Sequence, residues 1–171
     1  MRIINPIVKI LTFPGGFIKG FWEQVVCKIF GIPVENKKYF QFNEMAGHVE
    51  HEPAKGMKRF WLCFIPGWMT FITGIFFAVP AFFNLYFLDV TTPTLSVVSI
   101  MCLYFALSMF TNLFPSMEDA LMMWESYKES SKASKIIFAP GAAIMLIGSY
   151  AESFGVTLLT NAALAALVLL M

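Results

Sequence analysis

Both histidines of the chain fall in Gly47-His48-Val49-Glu50-His51-Glu52-Pro53, interleaved with two glutamates. Imidazole and carboxylate are donors that a zinc ion accepts. A regular strand points His48, Glu50 and Glu52 to one face and His51 to the other. Only a bulge would bring both imidazoles to one ion. Lys19 and Glu23 stand four residues apart, the spacing of neighbours on one helix face. A surface ion pair worth ~0.3–0.5 kcal/mol accounts for them, and so does a pair facing the interior of a bundle. Asn112-Leu113-Phe114-Pro115-Ser116-Met117-Glu118-Asp119-Ala120 marks a boundary between an apolar run and a polar one. There Ser116 suits a helix N-cap, with Glu118 and Asp119 in the first turn, where the helix dipole favours acids. Glu152 sits inside a late apolar run, where it is expected to pair or hydrogen-bond across helices. Asp89 reads as a turn residue at a lipid surface. Cys27, Cys63 and Cys102 are odd in number and widely spaced, which fits buried small apolar side chains better than a disulfide or zinc framework.

The elements that must position these groups are set by charge. From Phe60 through Met117 the one charged side chain is Asp89, and all 12 Lys and Arg lie at positions 2–59 or 128–135. A bilayer core takes ~20 mostly apolar residues per helical span, and charge at that depth costs at least ~2.5 kcal/mol per residue. The hydrophobic fraction is 58% and the mean hydropathy is +0.70, well above an ordinary soluble domain. The expected fold is therefore an all-α polytopic membrane protein of one integral membrane domain. It has three to four transmembrane helices, a short cytoplasmic β-hairpin insert and an amphipathic surface helix.

Residues 3–32 form an amphipathic segment or first span, interrupted at Pro14-Gly15-Gly16 and stopped by Gly31 and Pro33. Its polar stripe carries Lys19, Gly20, Glu23, Gln24 and Lys28. Residues 33–59 are the polar insert, with strands expected over 37–42 and 48–52 about a turn at 43–47. Spans follow at 60–88, kinked at Pro66 and Pro80, and at 95–114. A surface helix covers 116–130. Residues 136–171 are too long for one straight crossing and either kink or break near 148–155. The first residues are too interrupted for a secretory signal. Five Lys and Arg in the insert and three in 115–135, against none in 89–94, put the first two segments on the cytoplasmic face. A net charge of +1 gives no argument for a nucleic-acid partner. The expected partners are the lipid bilayer and either another membrane protein or a second copy of the chain.

Together these places resemble the small membrane-embedded zinc metalloproteases of the site-2-protease-like kind. The resemblance rests on Phe13-Pro14-Gly15 followed by a helix into Cys27-Lys28-Ile29-Phe30-Gly31, on the Gly-x-Val-x-His-Glu-Pro pattern at 47–53, and on Phe-Pro-Ser-x-x-Asp-Ala at 114–120. It runs in matching order from Phe13 to Trp124 and implies Asp119 as the counterpart of the family's third metal ligand. It also implies a prokaryotic cytoplasmic membrane as the location. Such enzymes carry His-Glu-x-x-His on the first helix, where two His bind zinc and the Glu activates water. The corresponding stretch here is Lys19-Gly20-Phe21-Trp22-Glu23. A charged lysine does not ligate a metal, and glycine takes no proton. What the resemblance implies is a degenerate member, with an ion cluster of Lys19, Glu23 and Asp119 standing where the zinc would be.

The leading function is then a non-catalytic membrane protein of metalloprotease-like fold, without catalytic residues or cofactor. It would bind a membrane partner through the hairpin residues His48, Val49, Glu50, His51 and Glu52, or serve as a subunit of a membrane assembly. One alternative is a working intramembrane metalloprotease with rearranged zinc ligands from His48, His51 and Asp119, joined by Glu23. Another is a small transporter or channel subunit whose polar path uses Lys19, Glu23, Asn112 and Glu152.

Overall fold

A computed structural model of the chain describes residues 4–36, 49–52, 54, 56–87 and 93–170. The fold is mostly helical. Its elements in order are α1 (Ile4–Leu11), α2 (Phe13–Phe30), β1 (Val34–Asn36), β2 (Glu50–His51), α3 (Met57–Phe87), α4 (Pro93–Thr111), α5 (Met117–Glu129), α6 (Lys132–Ser153) and α7 (Val156–Leu170). Among the described residues, α3 and α6 contain stretches long and apolar enough to cross a membrane, Met57–Asn84 and Lys132–Ser153. Helix α4 contributes a shorter apolar stretch, Val97–Thr111.

The first segment divides at Thr12, two residues earlier than the Pro-Gly-Gly signal suggests. Pro14 and the glycines already belong to α2, where Pro14 occupies the first turn and its missing N–H costs nothing. Gly15 is required by packing, because a Cβ there would collide with the Ser108 carbonyl oxygen of α4. The Gly15 N–H instead donates to Ser108 Oγ at 2.8 Å. Helix α2 ends as expected at Gly31, whose φ of 66° lies in the left-handed region. The Gly31 and Ile32 N–H groups close the end onto Lys28 and Cys27 carbonyls.

Helix α2 is turned inside out relative to a soluble amphipathic helix. Lys19 and Glu23 are 5% and 4% exposed, whereas Phe17 and Phe21 are 48% and 44% exposed. Of its polar stripe, Lys19, Gly20 and Glu23 are packed inside, Gln24 is half-buried and Lys28 is exposed. The exposed faces of α3, α4 and α6 are likewise apolar, with Phe76, Ile100 and Ile136 standing out from the surface.

Helix α3 runs unbroken through Pro66 and Pro80 over 31 residues. At ~1.5 Å per residue it is ~46 Å long, more than a ~30 Å hydrocarbon core needs. The last segment breaks rather than bends. Gly155 adopts φ 72° between α6 and α7, and its N–H returns to the Glu152 carbonyl at 3.0 Å. Helix α5 begins where expected, since Ser116 Oγ accepts the Asp119 N–H at 3.2 Å.

The described hairpin ladder pairs Val34 with His51 and Asn36 with Glu50, antiparallel, with an irregular register between the two pairs. The expected strand at 37–42, its turn at 43–47, His48, Pro53 and Asp89 lie outside the described residues. One core joins α3, α5 and α6 through Phe60, Cys63, Met123, Ala142 and Met145. A second joins α2 to α3 through Val26, Cys27 and Leu62, with Ala54. Cys27 and Cys63 are free and buried, as expected, while Cys102 is free and half-buried.

Candidate functional site

The linker between α4 and α5, residues 112–116, organises two polar centres. Leu113 lies against Gly67 of α3, where a Cβ would come within 2.5 Å of the Leu113 carbonyl oxygen. The Phe114 ring fills the space that a side chain at Gly148 of α6 would need. Both ends of the Phe114 peptide are held by charged groups. Its N–H donates to Glu152 Oε2 at 3.0 Å, and its carbonyl accepts from Lys19 Nζ.

The first centre contains Glu23 of α2, His51 of β2 and Asp119 of α5. One ligating atom from each lies within 4.8 Å of the other two. Glu23 and Asp119 are buried, at 4% and 7% exposure, and His51 is half-buried. Each side chain is oriented by a neighbour. Val49 N–H donates to Glu23 Oε2 at 3.0 Å. Ser116 Oγ donates to Asp119 Oδ2 at 2.7 Å. His51 Nδ1 lies 2.9 Å from the Glu52 carbonyl. A carbonyl only accepts, so Nδ1 carries a proton, and Nε2 is the buried nitrogen of the ring. Strand alternation puts Val49, fully buried, and His51 on the inward face.

The expected cluster of Lys19, Glu23 and Asp119 maps onto this region. The two acids do converge, but Lys19 gives its hydrogen bond to a main-chain carbonyl and His51 joins the acids instead. A lone surface pair of Lys19 with Glu23 is excluded by the burial of both. Of the hairpin group, Val49 and His51 take part in this centre. The side chain of Glu50 lies outside what is described, and Glu52 is exposed.

The second centre joins α1, α4 and α6. Lys9 Nζ donates to Asn112 Oδ1 at 3.0 Å and pairs with Glu152 Oε1 at 2.5 Å. The Asn112 amide donates to Thr12 Oγ1 at 2.9 Å and to the Ser108 carbonyl at 2.8 Å, and Ser108 Oγ donates to the Thr12 carbonyl at 2.8 Å. Glu152 therefore pairs across helices, as expected. Its partner Lys9 was not singled out from the sequence. The signal was present, because Lys9 is a lone cation within Ile7–Leu11 just as Glu152 is a lone acid in its run.

Chemically, the first centre offers two carboxylates and one imidazole, a donor set suited to a divalent cation. Gly20, one turn before Glu23, supplies no proton acceptor from its side chain. No protein-family model, no curated protein and no solved structure matches the chain.

Proposed function

We propose that the chain is a polytopic membrane protein that acts by binding rather than by catalysis, a non-catalytic relative of the membrane-embedded metalloproteases that holds a membrane partner. Its α3, α4 and α6 cross the bilayer, and the hairpin and α5 lie on the cytoplasmic side. The membrane setting is supported by the inverted α2 and by the apolar outer faces of the long helices, a surface that water would not tolerate. The orientation follows the Lys and Arg of residues 33–59 and 115–135.

The observation that carries the non-catalytic reading is the fate of Lys19. Where a water-activating site would need a ligand, Lys19 holds the Phe114 carbonyl, and the adjacent Gly20 brings no base. A binding role is supported by an apolar groove of about 360 Å³ between α3 and α6, lined by Phe64, Trp68, Phe71, Leu113, Phe114 and Ile144. It opens between α3 and α6, whose stretches Met57–Asn84 and Lys132–Ser153 are long and apolar enough to cross a membrane, so a partner reaching it arrives from within the membrane.

The test uses the full chain in lipid nanodiscs with Zn²⁺ and a membrane-anchored reporter that has an extended juxtamembrane stretch. The expected result is an intact reporter at all times. Cleavage that is abolished both by a chelator and by Asp119→Asn would overturn the non-catalytic reading.

A further inference from the structure

We infer that Glu23, His51 and Asp119 form a binding site for one divalent first-row cation, Zn²⁺ or Mn²⁺, that clasps α2, β2 and α5 together. The three ligating atoms already lie within 4.8 Å of one another. Three donors at ~2.0–2.2 Å from one tetrahedral ion sit ~3.3–3.6 Å apart, so the site closes with shifts of up to about 0.8 Å per atom. The ligands come from three separate elements, which no local helix or turn rule brings together.

Two further observations fit a cation. The Glu52 carbonyl fixes His51 with its proton on Nδ1, the tautomer in which Nε2 is the ligating atom. Ser116 and the Val49 N–H orient the two carboxylates, as outer-shell donors orient ligating acids. Two oxygen donors and one imidazole nitrogen suit Zn²⁺ and Mn²⁺ better than a soft ion such as Cu⁺.

The role is structural. The centre ties β2 of the 33–59 insert to the helix bundle, and it lacks a neighbouring base at Gly20. The inference stands apart from the non-catalytic reading: cleavage would sink that reading and leave the cation site intact, whereas absence of cation binding would sink only the site.

The test takes the tag-free full chain in nanodiscs, titrated separately with Zn²⁺ and Mn²⁺ by calorimetry and followed by thermal unfolding. The expected result is about one ion per chain and a rise in Tm of roughly 5–10 °C at ~100 times the Kd. Asp119→Asn and His51→Gln should each weaken binding at least ~100-fold, more than loss of an outer-shell group does. His51→Gln changes a half-buried residue on a short strand, so it should keep the Tm of the cation-free wild type. The Co²⁺-loaded protein should show visible absorption that changes in His51→Gln. No saturable binding and no Tm shift with either ion would overturn the inference. So would binding in His51→Gln at wild-type affinity, since the ion would then sit elsewhere.

Discussion

Replacing Lys9 with methionine tests whether the second polar centre holds α1 and α6 to the bundle. The Lys9 and Glu152 side chains are 11% and 7% exposed and meet at 2.5 Å. In Lys9→Met, Glu152 keeps the Phe114 N–H but loses its counter-charge, and Asn112 Oδ1 loses its donor. Breaking a buried pair from one side costs about 3–5 kcal/mol, because the remaining charge stays desolvated. For a chain of this size each kcal/mol moves Tm by about 2–4 °C, so the loss should be roughly 6–20 °C. The double variant Lys9→Met/Glu152→Gln should recover much of that. The carboxamide oxygen still accepts the Phe114 N–H, and no charge remains buried. A coupling of about 2–3 kcal/mol is expected from the double-mutant cycle. The assay is thermal unfolding of the four variants in detergent, read by the fluorescence of the four tryptophans. A Lys9→Met protein within ~1 kcal/mol of wild type would refute the reasoning. Strict additivity in the cycle would refute it equally, since it would mean the pair is solvated rather than buried.

Two other substitutions address the linker. Gly148→Ala drives a methyl into the Phe114 ring and should cost about 1–3 kcal/mol by overpacking, a loss that Phe114→Leu in the same chain should relieve when both are unfolded thermally. Ser116→Ala removes the N-cap of α5 and the donor that orients Asp119. It should lower Tm by roughly 2–4 °C, the equivalent of ~1 kcal/mol.

Much of the element order was legible because it depends on neighbours along the chain. Gly31 ends α2, Ser116 starts α5 and Gly155 separates α6 from α7, each through a backbone conformation or a cap that its own residue type favours. The break at Thr12 was misplaced for an instructive reason. Pro14-Gly15-Gly16 looks like a helix breaker by propensity, yet proline is well placed in a first turn and Gly15 is there for the close approach of α4. Pro66 and Pro80 both lie inside α3, which stays helical over Met57–Phe87.

The candidate residues were legible one by one, but their partners were not. The sequence alone determined that residues 60–117 exclude charge apart from Asp89, and that Glu152 is a lone acid in an apolar run. It does so because the cost of burying a charge makes each such residue conspicuous. Helical periodicity then assigns a residue to a face. It carries no term for which element that face meets. The pairing of Lys9 with Glu152, 143 positions apart, and the meeting of Glu23, His51 and Asp119 were decided only by the tertiary structure. Helix crossing and the depth of the 112–116 linker brought these groups together, and those are set by the packing of Gly15, Gly67 and Gly148 against their neighbours.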